Sequence, residues 1–248
     1  MDELKNIKLI LEYDGTGYHG WQRQKNGITI QEALEDKLRI ILGAPVILIG
    51  SGRTDAGVHA LHQVCNFRTT SAIAPESIKR AMNSLLKDDI FILKAEYVPP
   101  DFHSRYSVKS KIYEYRVWNR KDQNTFLRHY AWHIRKVLDV GEMRECLSIL
   151  EGRHDFSSFK SEGSDNRDPV REMIKTGVSG NEEGLVTFVF EADGFLRHMV
   201  RNIVGTVIEV GMGKRGVDEF KEIFYSLDRR KAGIKAPPQG LFLSKVNY

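Results

Sequence analysis

Two stretches near the start of the chain, IKLILEY at residues 7–13 and ITIQEALEDKLRIILG at residues 28–43, indicate how the fold begins. The first alternates apolar and polar side chains, which is typical of a half-buried β-strand. The second places its apolar residues at helical spacing, at Ile30, Ala33, Leu34, Leu38 and Ile41. Thr29 and Glu32 have the spacing of a capping box, and Gly43 supplies the stop. A strand followed by an amphipathic helix is therefore predicted.

The pattern continues outward from this pair. Strands are predicted at residues 46–50, 62–68 and 90–97, and Pro75 opens a second helix, so the first hundred residues have the order βαββαβ. A similar order follows the Pro99–Pro100 pair, with strands predicted at 112–118, 170–177, 185–192 and 241–247, and helices at 141–151, 195–210 and 217–229. Residues 152–169 are predicted to be a long polar loop.

This order predicts an α+β fold built from two ferredoxin-like or RNA-recognition-motif-like units, residues 1–105 and 106–248. In such folds the helices cover one face of an antiparallel sheet. The duplication depends on element order alone, because the sequence itself does not repeat.

Composition excludes several classes of protein. Lys and Arg number 37 against 33 Asp and Glu, a net charge of +4 that permits a polyanionic partner without requiring one. The two cysteines, Cys65 and Cys146, are too far apart in sequence to suggest a disulfide framework or a cysteine-based zinc site. No apolar run is long enough for a signal peptide or a membrane span, so a cytoplasmic protein without a membrane anchor is expected.

The stretch GSGRTDAGVHA at residues 50–60 places Arg53 and Asp55 among glycines. It lacks the ending of a P-loop and the GxGxxG pattern before a helix, which argues against nucleotide binding. Asp55 is either a turn residue or an ionised nucleophile or base, with the glycines letting a ligand approach the backbone. The following HxxHxxC pattern places His62 and Cys65 on opposite faces of a strand, and we reject a metal site there.

Three further stretches carry candidate residues. YDGTGYHGWQ at residues 13–22 contains Tyr18 and Trp21, which either pack on the core or form a platform for unpaired bases. In KIYEYRVW at 111–118, Tyr113 and Tyr115 share one face of a strand, so one is expected in the core and the other can face a substrate. In the helix after residue 195, Arg197 and Arg201 flank the apolar stripe, and one half-buried arginine there would need a carboxylate partner.

Basic residues interleaved with aromatic residues at 102–118 and 128–136, and a basic run at 229–235, favour RNA as the polyanion. Alternatively, these basic runs form only a charged surface that is exposed to solvent and has no RNA partner.

Taken together, YDGTGYHGWQ, GRTDAGVHA, FHSRYSVKSKIYEY, DFSSF, HMVRNIVGT and GLFLSKVNY resemble the tRNA pseudouridine synthase I family in order and spacing over nearly the whole chain. Ser104 stands where the family often has alanine, and Lys109 and Lys111 stand where arginines are common. The resemblance implies a homodimeric enzyme that isomerises uridines at positions 38 to 40 of the tRNA anticodon stem-loop, without metal or organic cofactor. It also implies one extended mixed, mainly antiparallel sheet with a cleft between the units.

By the same resemblance, Asp55 is the catalytic carboxylate, Tyr113 the active-site tyrosine and Arg201 the partner of Asp55. The residues expected to contact the substrate are Arg53, Tyr113, Tyr18, Trp21, Arg105, Lys109 and Lys111. The route that Asp55 takes stays open between attack at C1′, attack at C6 and removal of a ribose proton. A noncatalytic RNA-binding module and a nucleoside hydrolase are the alternative functions.

Overall fold

The computed structural model describes residues 4–161 and 168–248, and within them the chain is α+β with ten strands and five α-helices. It divides into two compact units, Met1–Lys109 with Phe242–Tyr248, and Ser110–Leu241. No helix in the described ranges is long and apolar enough to cross a membrane.

The first unit contains the predicted βαββαβ order. Its elements are β1 (Lys5–Tyr13), α1 (Ile30–Leu42), β2 (Ile49–Gly50), β3 (His59–Thr69), α2 (Pro75–Leu85) and β4 (Ile90–Val98). The sheet order β4-β1-β3 with β2 antiparallel on the far edge of β3 is that of a ferredoxin-like fold. The caps of α1 are those predicted, because the Thr29 side chain accepts from the Glu32 amide and Gly43 is left-handed with φ 70°.

Burial in β1 shows which face of this sheet carries the core. Ile7, Leu9 and Leu11 are fully buried, whereas Lys8, Ile10 and Glu12 on the opposite face are partly exposed. Helix α2 packs against β4 and against α1. The apolar stripe of each helix closes this core, as amphipathic helices on a sheet do.

The second unit contains the other elements. They are β5 (Ser110–Trp118), β6 (Trp132–His133), α3 (Val140–Ser148), β7 (Gly152–Asp155), β8 (Val170–Gly180), β9 (Leu185–Ala192), α4 (Met199–Gly211) and α5 (Val217–Tyr225). Strands β5, β9, β8 and β7 follow one another as antiparallel neighbours, and β6 pairs in parallel with β5. Helix α4 packs among α3, α5 and a 3-10 turn at Ser157–Phe159.

The final strand, β10 (Leu241–Asn247), pairs in parallel with β3 through Phe242↔His59 and Leu243↔Ala60. Residues Phe242–Tyr248 therefore belong to the first unit, although the sequence order groups them with the second. The division at residue 105 stays a prediction about domains.

The prediction of a long polar loop at residues 152–169 is wrong for its first part, residues 152–159. Residues Gly152–Asp155 form β7, and Phe156 and Phe159 are fully buried. The Ser158 hydroxyl donates to the Ile223 carbonyl at 2.7 Å, which fixes the turn against α5. The remainder of that predicted loop lies partly outside the described residues.

Three helices are shorter than predicted: α3 ends at Ser148 instead of residue 151, and α4 and α5 are shortened for a backbone reason. His198 has φ 62° and ends the turn before α4, so that helix begins at Met199 instead of residue 195. Leu227 has φ 55° and follows the end of α5 at Tyr225. Left-handed residues other than glycine are uncommon, and periodicity gives no sign of them.

Candidate active site

The loop that carries Asp55 joins β2 to β3 in the first unit. Asp55 is partly exposed and Arg53 is exposed. The Asp55 carbonyl accepts from the Val58 amide at 3.1 Å, and Gly57 is left-handed with φ 75°, so the chain turns sharply just after the carboxylate. Asp55 is therefore placed at a tight turn between β2 and β3, and it is partly exposed to solvent.

The loop after β1 locks the Asp55 loop in place. The Trp21 amide donates to the Thr54 carbonyl at 3.1 Å, and the Gly57 amide donates to the Tyr18 carbonyl at 3.3 Å. The hydroxyls of Tyr13 and Thr54 are hydrogen-bonded at 2.8 Å, and both side chains are buried. Burial raises the pKa of Tyr13, so its hydroxyl stays protonated at neutral pH.

Glycines allow the two loops to approach so closely. A Cβ atom on Gly15 would lie 2.0 Å from the Val58 carbonyl oxygen, and one on Gly20 would lie 2.5 Å from the Thr54 carbonyl oxygen. Gly20 also has φ +83°. No other residue fits at these contacts without moving the backbone next to Asp55.

Two residues that the sequence analysis did not single out hold the base of the loop. Ser51 and Gln63 are fully buried, and the Ser51 hydroxyl donates to Gln63 Oε1 at 2.7 Å. Gln63 Nε2 in turn donates to the Gly52 carbonyl at 3.1 Å. The sequence did contain a signal for this contact, because Gln63 is a polar residue at an inward-facing position of β3. A buried amide group needs hydrogen-bond partners, here Ser51 and Gly52.

Tyr18 and Trp21 are only 7% and 2% exposed, respectively. The Trp21 ring covers Gly50, and the Tyr18 hydroxyl donates to Asp89 Oδ1 at 2.7 Å. Of the two interpretations of this stretch, packing on the core is the one that this geometry favours. Contact of either ring with the substrate stays a prediction.

His59, His62 and Cys65 of the HxxHxxC stretch differ in burial and in the residues that they contact. Cys65 is fully buried and pairs across the sheet with Leu9, whereas His62 is partly exposed. Burial raises the pKa of Cys65, so it is a protonated core thiol. The His59 ring stacks on Phe242 at 4.7 Å. Across residues 4–161 and 168–248 no group of three or more potential metal ligands occurs.

In the second unit, β5 has the predicted alternation. Tyr113, Tyr115 and Val117 are buried, whereas the residues between them are partly exposed. Tyr115 is the core tyrosine, because it is fully buried and its hydroxyl donates to the Pro237 carbonyl at 2.7 Å. Tyr113 is 8% exposed, and its ring meets Phe195 edge-on at 4.9 Å.

Helix α4 buries one of the two candidate arginines. Arg201 is 7% exposed, and its Nε donates to the Ala236 carbonyl at 2.8 Å, whereas Arg197 is exposed. Desolvation raises the pKa of Tyr115 well above its usual value, and the positive charge of Arg201 acts in the opposite direction. A guanidinium buried on an apolar helix needs partners, and backbone carbonyl oxygen atoms are suitable ones.

The basic residues predicted to bind RNA differ in how far their side chains are exposed to solvent. Arg105 and Lys109 are exposed and Lys111 is partly exposed, as residues that contact RNA need to be. In the run at 229–235, however, Arg229 donates to Asn202 Oδ1 at 3.0 Å and Arg230 pairs with Asp228 at 2.8 Å. Arg229 therefore makes an internal contact, whereas the Arg230 side chain is 90% exposed and its pair with Asp228 lies at the surface.

Comparisons with known proteins agree with the sequence motifs. The sequence model of the family described as tRNA pseudouridine synthase matches residues 9–107 and 147–248, which include Asp55 and Arg201 but not Tyr113. The chain is 48% identical to tRNA pseudouridine synthase A of Thermoanaerobacter sp. (strain X514), over 99% of this chain and all of the relative. It is 45% identical to tRNA pseudouridine synthase A of Acetivibrio thermocellus and of Clostridium acetobutylicum at the same coverage.

Proposed function

The chain belongs to the tRNA pseudouridine synthase family, whose members isomerise uridine in tRNA to pseudouridine, and on this premise we propose that it acts on the anticodon stem-loop, at tRNA positions 38 to 40, with Asp55 as the catalytic carboxylate. The observation that supports this role for Asp55 is its loop. A partly exposed carboxylate lies on a turn that two buried hydroxyls and two glycine contacts hold in one conformation.

The reaction explains why one carboxylate is enough. Pseudouridine forms when the N1–C1′ bond breaks, the uracil rotates, a C5–C1′ bond forms, the C5 proton leaves and N1 takes up a proton. A glycosidase, in contrast, needs two carboxylates on either side of the bond that it cleaves. Asp55 acts by attack at C1′, attack at C6 or removal of a ribose proton, and a rigid loop serves each of these routes because each needs the carboxylate in a fixed position.

The second unit supplies the partners that we assign to Asp55. We assign Arg201 as the charge partner of the Asp55 carboxylate, because a guanidinium forms strong charge-assisted hydrogen bonds with a carboxylate. Tyr113 stacks on the uracil, and its hydroxyl assists removal of the C5 proton. The buried positions of both side chains suit these roles, since a residue that acts on a flipped base must lie away from bulk water.

Binding of the tRNA depends on charge and on removal of the uridine from its stem. Flipping a base costs a few kcal/mol, which contacts to phosphates and bases must offset. We assign such contacts to Arg53, Arg105, Lys109 and Lys111, which are exposed or partly exposed. We further propose that the enzyme acts as a homodimer in the cytoplasm and uses no metal or organic cofactor.

The test uses tRNA carrying tritium at C5 of uridine. The wild-type chain should release tritium to water and leave the RNA intact, and mapping of the modified nucleotides should place them at positions 38 to 40. Binding without release would instead identify a noncatalytic RNA-binding module, and free uracil would identify a hydrolase.

Asp55→Asn is the matched inactive variant. It should abolish tritium release and keep tRNA affinity within about tenfold of the wild type, because binding is spread over many phosphate contacts. Turnover of Asp55→Asn close to that of the wild type would disprove the role of Asp55 without affecting the assignment of the family.

A further inference from the structure

The segment from Pro99 to Ser107, which follows β4 in the first unit, has no regular secondary structure but is tightly anchored. Asn6 on β1 donates through Nδ2 to the Pro99 carbonyl at 3.0 Å and to the Phe102 carbonyl at 2.9 Å. Asn6 is 4% exposed. Buried hydrogen bonds of this kind fix the backbone of an irregular segment, because breaking them would leave polar groups unpaired away from water.

Ser104 completes the anchor. Its amide and its hydroxyl both donate to Asn66 Oδ1, at 2.9 and 2.6 Å, and its carbonyl accepts from the Tyr248 hydroxyl at 2.8 Å. Ser104 and Asn66 are 0% and 1% exposed. Ser104, one of the three residues at which this sequence departs from the family pattern, is thus the centre of a buried polar network.

The two aromatic side chains of the anchored segment have opposite environments. Phe102 packs against the Tyr248 ring at 5.0 Å, and the Lys8 ammonium lies 5.5 Å from the centre of its ring. Tyr106, in contrast, is 77% exposed. The segment therefore uses one ring for its own attachment to the unit and presents the other to solvent.

The exposed ring is supported from behind. The rings of His103 and Tyr106 lie 4.3 Å apart at 31°, and His103 Nδ1 accepts from the amides of Arg105 and Tyr106 at 3.1 and 3.3 Å. The guanidinium of Arg105 lies 5.8 Å from the centre of the Tyr106 ring. A ring held in this way loses little conformational freedom when a ligand stacks on it.

We propose that Tyr106, backed by His103, is a stacking platform for an unpaired base of the RNA substrate, with Arg105 contacting the neighbouring phosphate. Aromatic rings beside basic residues are how proteins bind unpaired nucleotides, because every base offers a flat face and every linkage a negative charge. Arg105 supplies the positive charge next to the ring, and the exposed Lys109 follows three residues after Tyr106 in the chain. The proposal relies on the proposed function for the identity of the RNA as tRNA.

The test measures equilibrium binding of the full-length chain to unmodified tRNA at several salt concentrations. Tyr106→Ala should weaken binding about 5- to 150-fold, the range for loss of one stacked base, and should leave the slope of log affinity against log salt unchanged. Tyr106→Phe, which keeps the ring, should bind within about twofold of the wild type. Arg105→Ala should reduce the slope by about 0.7 to 0.9, because one phosphate contact is lost.

Tyr97→Ala is the control for removing an exposed tyrosine, since Tyr97 is 51% exposed in β4, and it should bind like the wild type. Wild-type affinity in Tyr106→Ala would overturn the proposal. A change in sedimentation of Tyr106→Ala without RNA would also overturn it, because the ring would then contact a second copy of the chain. A wild-type chain that releases no tritium would refute the proposed activity and leave this binding test valid.

Discussion

The two units position their candidate residues in different ways. In the first unit Asp55 lies on a loop whose shape comes from contacts with another loop, through the Tyr13–Thr54 hydrogen bond and the close approaches at Gly15 and Gly20. In the second unit Tyr113 and Arg201 lie on a regular strand and a regular helix, and burial of the faces that carry them sets their positions.

This difference predicts how each unit responds to mutation. A loop held by a few close contacts should lose its geometry when one contact is changed, while the rest of the unit stays folded. A side chain built into a helix or strand is part of the core, so removing it should affect stability and activity together. Each of the following predictions tests this difference.

The largest effect is expected for Arg201→Ala. The substitution leaves the Ala236 carbonyl without its donor and, under the proposed mechanism, leaves the Asp55 carboxylate without its partner. Turnover should fall by about a thousandfold, equivalent to the few kcal/mol typical of a broken buried pair. Thermal unfolding should show a loss of stability as well, measured by calorimetry on the same preparation.

Arg197→Ala is the control for that prediction, because Arg197 is exposed. Its free energy of unfolding should stay within about 0.5 kcal/mol of the wild type, as is usual for surface positions. Arg201→Ala with normal turnover would show that the buried arginine has only a structural role.

The next effect is expected for Gly15→Ala, which tests the loop of the first unit. The new Cβ would lie 2.0 Å from the Val58 carbonyl oxygen, so the Asp55 loop must move. A misplacement of about 1 Å can lower turnover by about a hundredfold, and we expect this loss with tRNA affinity retained. Gly17→Ala is the matched control, because a Cβ there meets nothing within 4 Å. Equal activity of the two variants would contradict the locking of the loops.

The same difference determines what the sequence could predict. Alternation at Tyr113, Tyr115 and Val117, and the helical stripe around Arg201, predicted burial correctly because periodicity is itself a record of burial. The contacts at Gly15 and Gly20 could not be predicted, because they depend on how two loops meet in three dimensions.

The predicted ends of several helices and of the 152–169 loop were wrong for reasons of local backbone geometry and burial. Positive φ at His198 and Leu227 and the burial of Phe156 and Phe159 leave no periodic signal. The parallel pairing of β10 with β3 joins residues far apart in the chain, and element order alone does not predict it.

Tyr113→Phe tests the second unit at the level of chemistry. The phenylalanine ring keeps the stacking surface and removes only the hydroxyl, so tRNA binding should be retained while turnover falls by on the order of a hundredfold, the scale of general acid-base assistance. Tyr115→Phe should behave differently, because it removes the donor to the Pro237 carbonyl and should lower stability by about 1 to 3 kcal/mol. Wild-type turnover in Tyr113→Phe would limit that residue to stacking.

A smaller effect is expected for Tyr13→Phe in the first unit. Loss of the hydrogen bond to Thr54 should loosen the residue before Asp55 and lower kcat about tenfold with little change in KM. The double variant Tyr13→Phe with Thr54→Val should be no worse than Tyr13→Phe alone, since both changes remove one interaction.

Asn83→Ala is the control for destabilisation of the first unit. Asn83 makes two hydrogen bonds to Ile92 that join α2 to β4, so its loss should lower stability without a matching loss of kcat. If Asn83→Ala and Tyr13→Phe lower kcat equally, the Tyr13 effect reflects general destabilisation.

The smallest effect is a pH dependence of stability specific to the first unit. Burial, with smaller contributions from the positive charges of Lys245 and Lys8, lowers the pKa of His62. The unfolded chain protonates this histidine near pH 6.5, whereas the folded chain does so only at lower pH. Between these two values the unfolded state binds more protons, so stability increases as pH increases.

Urea unfolding from pH 5 to 7.5 should therefore show a steeper loss of stability towards low pH in the wild type than in His62→Gln. The other histidines contribute equally to both proteins, so the difference isolates His62. Identical slopes would mean that His62 is protonated as easily in the folded chain as in the unfolded one, and that the exposed face of the first sheet does not desolvate it.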